Sequence, residues 1–166
     1  MGAPIYLAIP VMLVLGVAQA SILPRFPILG VSPQLLFLVA LAWGDIRGLE
    51  EGLIWAFIAG LFADLFSLAP LGISSLAFMA GVGLPLFFSR LLPPNRRLII
   101  VLMAAAGTVI YLAFYMVTLR IFGYGVSFGG LVELLPLVGL HAVLIFPIHL
   151  FLSTILRAFQ PRRVEL

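Results

Sequence analysis

The 166-residue sequence contains no cysteine and no lysine, and only 9% of its residues are charged. Without cysteine it forms no disulfide, holds no iron–sulfur cluster and performs no thiol chemistry. With so little charge it cannot present a water-solvated surface. Soluble domains carry roughly 25% charged and roughly 45–50% apolar residues, whereas here the hydrophobic share is 64%. A chain this short cannot cover that surplus with polar atoms, so lipid is its main solvent. The net charge of +3 does not point to nucleic acid either. The nine arginines form no tract, only Arg96 with Arg97 and Arg162 with Arg163 are adjacent, and they flank apolar runs. That is the pattern of membrane topology, not of a phosphate-binding patch. Repeats, linkers and low-complexity tracts are missing as well.

The charges divide the chain into uncharged runs, and five of them are long enough to cross a bilayer: 1–24, 26–44, 65–89, 98–119 and 134–156. The run 52–63 becomes a sixth if Asp64 is tolerated near one helix end. An aspartate at mid-membrane costs about 2.5–3.5 kcal/mol and each Leu, Ile or Phe returns about 0.3–0.6, so the surrounding apolar residues offset one displaced acid. The expectation is an all-α integral membrane protein, one domain over 1–166 with six transmembrane helices near 5–23, 30–44, 50–68, 72–92, 98–121 and 136–158. Ala18, Gln19 and Ala20 look like a small-x-small cleavage site, but residues 1–4 carry no basic group, so the first helix reads as a retained anchor. Ser32 and Pro33 read as N-cap and first residue of the second helix. The segment 67–72, with Pro70 and Gly72, reads as the turn between helices three and four. The glycine-rich stretch 123–130 lacks helical character, and 131–135 reads as a short interfacial turn before Pro136 opens helix six. Pro147 inside that helix should kink it.

Six crossings put both termini on one side. That side holds Arg47, Arg90, Arg96, Arg97, Arg157, Arg162 and Arg163, against Arg25 and Arg120 opposite, so the termini are expected in the cytoplasm. Asp64 then lies near the outer surface, paired with Arg25 or with backbone amides of the following turn.

Few residues suggest chemistry. His149 and Ser153 share a helix face and could join Asp64 in a hydrolytic triad, but a serine in a membrane helix ordinarily bonds a carbonyl of its own helix. His141 and His149 are eight residues apart without a further ligand at metal spacing. No metal, cofactor or catalytic residue is expected. A proton- or ion-coupled carrier would need several acids or histidines along a path, or broken helices in matched repeats. The informative pattern is Gly52, Ala56, Gly60 and Asp64 at four-residue spacing, a small-residue stripe that lets another helix approach closely. Such stripes commonly bury against the same chain.

Read in order, Pro33, Gln34, Leu35 and Leu36, then Trp43, Gly44 and Arg47, then 51–65 with its glycine stripe and Asp64, then Ser67, Pro70, Leu71 and Gly72, resemble the MreD family of the bacterial rod-shape system. A weaker echo is Phe146 and Pro147 followed by Arg157. The detailed likeness covers about 33–76; the remainder agrees in helix number and length. Where the family often has aspartate after the helix-two proline, this chain has Gln34. The resemblance implies a six-helix fold similar to the substrate-binding subunits of energy-coupling-factor vitamin transporters. It also implies association with MreC and, through it, with MreB filaments, RodA and a class B penicillin-binding protein in the inner (cytoplasmic) membrane. On that basis the expected role is a non-enzymatic scaffold helping to regulate lateral peptidoglycan synthesis, with Gln34, Gly52, Ala56, Gly60, Asp64, Pro70 and Gly72 as its partner-binding residues. The alternative is a vitamin-binding subunit of such a transporter. That class usually exposes a small-residue ladder on its first helix, where this chain has only Gly16 and Ala20, and needs polar groups converging on a ligand, whereas this chain is poor in Asn, Lys and Tyr.

Overall fold

The structure, a computed structural model, describes residues 3–28, 30–67, 69–91, 96–125 and 135–158. Among them lie six α-helices: α1 (Ala3–Ser21), α2 (Leu35–Arg47), α3 (Leu49–Leu65), α4 (Ile73–Ser89), α5 (Arg96–Ile121) and α6 (Leu135–Ala158), with a 3-10 turn at Leu23–Arg25. Three stretches are long and apolar enough to cross a membrane: Tyr6–Arg25, Leu98–Ile121 and Leu135–Ala158. Residues 92–95, 126–134 and 159–166 are outside the described set. The loop arginines 96 and 97 fall at the start of α5, whereas the expected interfacial turn, apart from Leu135, and Arg162 and Arg163 are among the residues not described.

At the centre is α2, buried without interruption from Leu36 to Gly44. A helix apolar all round belongs inside a bundle, and α1, α3, α4, α5 and α6 all touch this one. Its 13 residues rise only about 20 Å at 1.5 Å per residue. Enclosure by neighbours removes the need for it to match a bilayer alone. The expected start of this helix is corrected. Residues 30–34 are not helical, and Gln34, at φ −90° and ψ 82°, is the flanking residue. Its amide N–H is drawn off to His141 Nε2 at 2.9 Å, a tertiary bond that Ser32 and Pro33 do not betray. Likewise α3 ends at Leu65, not near 68, because the Ser67 amide turns back to the Asp64 carbonyl at 3.0 Å.

Sequential helices are joined where side chains vanish. Gly48, at φ +108°, links α2 to α3, and a Cβ on Gly52 would stand 2.7 Å from the Gly44 Cα. Farther along α3, a Cβ on Gly60 would fall on the Ser75 backbone of α4. Between α4 and α5, a Cβ on Gly81 would reach the Gly107 carbonyl oxygen at 2.7 Å. Such close backbone approach supplies packing where lipid removes any hydrophobic drive between helices. Large apolar side chains of α1, α4, α5 and α6 point outward, among them Tyr6, Val14, Phe87, Val109, Val143 and Phe151. In water that surface would be untenable; against acyl chains it is the natural exterior.

At the α2–α3 hairpin, Trp43 and Trp55 stack at 3.9 Å between ring centres, 13° from parallel. The Trp43 indole N–H donates to Glu51 at 3.0 Å, and Arg47 pairs with the same carboxylate at 3.2 Å. By contrast, the buried Trp55 N–H has no partner among the described residues. Trp55→Phe removes an unsatisfied donor while keeping an aromatic ring on Trp43. Thermal unfolding in detergent should place it within about 1 kcal/mol of the parent, with Trp43→Phe the more costly change because it also breaks a charge-assisted bond.

Candidate functional site

Asp64 sits on the last turn of α3 and is 2% exposed. It pairs not with Arg25 but with the start of α4. Oδ2 accepts from the Gly72 amide at 2.7 Å and from the Ser74 amide at 3.1 Å, and Oδ1 lies 3.2 Å from the latter. A helix N-terminus leaves amides without intrahelical partners and carries positive partial charge, so a carboxylate from a neighbouring helix both caps it and is neutralised by it. Gly72, at φ +98°, adopts the left-handed conformation that turns its amide onto Asp64. Ser67 tightens the same corner, accepting from the Ala69 amide at 3.1 Å and donating to the Asp64 carbonyl at 3.2 Å. The corner presents Leu71 outward, 69% exposed, beside half-buried Pro70.

The small-residue stripe faces its own chain. Gly52 lies on α2 through Gly44, Gly60 on the α4 backbone, and Ala56 is fully buried. A partner docking onto these four residues would have to displace α2 and α4. What remains reachable from outside is the corner the stripe supports.

Gln34 belongs to a different group. Its side-chain oxygen accepts from the Gln19 amide nitrogen, and the Gln19 oxygen accepts from the Leu36 amide at 3.2 Å. The Gln34 backbone N–H donates to His141 Nε2, so that neutral imidazole carries its proton on Nδ1, which faces Thr108 Oγ1 at 2.8 Å. The Thr108 hydroxyl in turn donates to the Ala104 carbonyl at 2.6 Å. The Gln34 and Leu36 amides at the start of α2 are thus satisfied from α6 and α1, with Thr108 of α5 holding the imidazole. Beside it lies a cavity of about 510 Å³, lined by Gln19, Gln34, Ser74, Tyr111 and Tyr115 together with aromatic rings. Polar residues scarce along the chain thus gather at one end of the bundle. Sequence reasoning gives Thr108 and Tyr111 no role, reads Gln19 only within a small-x-small motif and weighs His141 only as a metal ligand. The available signal was that each is a polar residue inside an apolar run where an unsatisfied group is expensive.

The hydrolytic constellation does not assemble. His149 Nε2 lies 3.0 Å from Asp45 Oδ2, while Ser153 donates to the Leu150 carbonyl at 2.9 Å. Asp64 is engaged at the opposite end of α3 with the α4 amides. Among the described residues no three His, Cys, Asp or Glu side chains group at metal-binding distance.

No curated protein matches the chain, and no solved structure does. The family described as rod shape-determining protein MreD matches residues 3–159. That match spans all the helices of the bundle, including the α3–α4 corner that Asp64 caps, and with three helices of membrane-spanning length and composition it places the chain in the MreD family of rod shape-determining membrane proteins.

Proposed function

We propose that the protein is a non-enzymatic scaffold of the bacterial elongation complex, seated in the inner membrane with six crossings and both termini in the cytoplasm. It binds MreC and, through MreC, works with MreB, RodA and a class B penicillin-binding protein to regulate lateral peptidoglycan synthesis and cell shape. The family match over residues 3–159 carries this reading. The arginine distribution supports the orientation. The three shorter helices α2, α3 and α4 complete the six crossings, shielded by their neighbours, in a single domain of the kind known from the vitamin-binding subunits of energy-coupling-factor transporters.

The proposed contact for MreC is the 67–72 corner. Asp64, Gly60 and Gly52 act from inside by holding α3 and α4 in register, while Pro70, Leu71 and Gly72 meet the partner. Gln34 supports the same outer end through the α2 N-terminus. Co-purification with MreC from detergent tests the assignment. Leu71→Asp, at an exposed position, should leave the melting temperature unchanged and lower the recovered MreC at least about ten-fold, the effect of about 1.4 kcal/mol at an interface. Full recovery with Leu71→Asp would move the contact elsewhere, and failure of the parent protein to retain MreC would remove the partner claim.

A further inference from the structure

The cavity beside the α2 N-terminus is built like a ligand site. Its volume of about 510 Å³ falls within the usual range for small-molecule pockets, about 300–1,000 Å³. Phe62, Phe78 and Tyr111 give it aromatic walls, and Gln34, Ser74 and Tyr115 give it polar groups. Tyr111 is only 5% exposed and Ser74 only 7%; among the described residues neither hydroxyl makes a hydrogen bond, and neither oxygen is fully enclosed, so both remain open to a ligand. The Gln34 oxygen is taken by Gln19, which leaves its amide nitrogen as a donor. Among the described residues no charged side chain lines it. The nearest acid in the fold of this corner, Asp64, is already satisfied by the Gly72 and Ser74 amides.

We propose that this cavity binds an uncharged, ring-sized molecule presenting carbonyl or hydroxyl oxygens to Gln34, Ser74, Tyr111 and Tyr115. Each feature of the ligand follows from the walls. The ring answers the aromatic faces, which favour offset or edge contacts with another ring. The oxygens answer groups that can all donate: an amide nitrogen and three hydroxyls. Neutrality follows because an ion there would meet no charged side chain among the described lining residues, and the neighbouring Asp64 is committed to the α4 amides. The same chemistry can arrive as a free solute or as the sugar headgroup of a neutral lipid. The site does not depend on the scaffold reading: probe binding and MreC capture are separate measurements, and either can fail while the other stands.

The test uses the full-length protein in phosphatidylcholine nanodiscs with three probes. Nicotinamide represents the free neutral ring. Nicotinate is its charged counterpart of the same size, and octyl glucoside represents a neutral headgroup. Equilibrium dialysis should give saturable binding of nicotinamide or of octyl glucoside, at least ten-fold tighter than nicotinate. Saturation by nicotinamide assigns the solute source, and saturation by octyl glucoside alone assigns the headgroup source. Tyr111→Phe, which deletes one oxygen and keeps the ring, should weaken that binding at least ten-fold with no fall in melting temperature. Absence of saturable binding by both neutral probes, nicotinate binding as tightly as they do, or undiminished binding by Tyr111→Phe would each overturn the assignment.

Discussion

Gly60→Leu is expected to separate α3 from α4 and drive most of the protein out of its folded state. A Cβ on Gly60 would fall on the Cα and N of Ser75 and the carbonyl carbon of Ser74. All three are backbone atoms, which cannot rotate aside as a flexible side chain does. The two helices must move apart, and the Ser75 hydroxyl then loses the Phe57 carbonyl it bonds at 3.0 Å. The cost should exceed about 3 kcal/mol, at the upper end of overpacking effects. Gly139→Leu is the matched control, since nothing lies within 4 Å of that position and a larger apolar side chain there meets lipid. Size-exclusion profiles and thermal unfolding in detergent check both. A Gly60→Leu protein melting within about 2 °C of the parent would refute the close contact, because a shift that small corresponds to no more than about 1 kcal/mol in a domain of this size. The same steric argument removes Gly60→Leu as a probe of partner binding: lost capture of MreC by that variant would report a disrupted bundle.

Asp64→Leu should be the second most damaging change. It removes the acceptor for two amides at the α4 N-terminus, those of Gly72 and Ser74, in a site where Asp64 is 2% exposed. Each N–H left without a partner costs about 1–3 kcal/mol, so the two amides together cost about 2–6 kcal/mol, to which loss of the charge–dipole attraction adds. Asp64→Asn keeps one acceptor oxygen and loses the charge, and should fall roughly midway. Hydrogen exchange at the Gly72 and Ser74 amides gives a local readout. Both should exchange much faster in Asp64→Leu, while the amides of the buried α2 core change little until the bundle unfolds globally. Unaltered exchange at those two amides would mean that something other than Asp64 caps α4.

These two residues also mark how far the primary structure could be read. The four-residue stripe on α3 was visible because small residues at i, i+4 spacing have few other uses in an apolar helix. Its mates were not visible. Gly44, Ser74 and Ser75 do not stand out among their neighbours, and Gly60 meets Ser75 only because the 67–72 corner reverses the chain. A glycine face suits a helix of the same chain and a helix of a partner equally well, so spacing alone could not choose between them. Asp64 was conspicuous as the one acid in a probable span, and backbone amides were among its foreseeable partners. Arg25 was the other, and distance in sequence gave no means to exclude it.

The cavity was the least legible feature. Its lining is drawn from Gln19 and Gln34, then Ser74, then Tyr111 and Tyr115, groups separated by up to 96 positions between Gln19 and Tyr115. Each looked like an isolated polar residue in an apolar run. The start of α2 was misplaced for the same reason. Ser32 and Pro33 are good local start signals, but the amide of Gln34 is claimed by His141, 107 residues away, and local preferences worth about 1 kcal/mol yield to a tertiary hydrogen bond in a lipid-like interior.

The primary structure alone carries the solvent and the all-helical class, because charge scarcity and run length act locally and additively in hydrocarbon, where every backbone group must be satisfied within its own helix. It also singled out Asp64. That the glycine face is internal, that Asp64 caps the next helix and that scattered hydroxyls and amides converge on one cavity emerges in three dimensions alone. Those outcomes depend on which helix faces meet, and in lipid that choice rests on backbone approach and hydrogen-bond pairing between distant segments, which no single helix encodes.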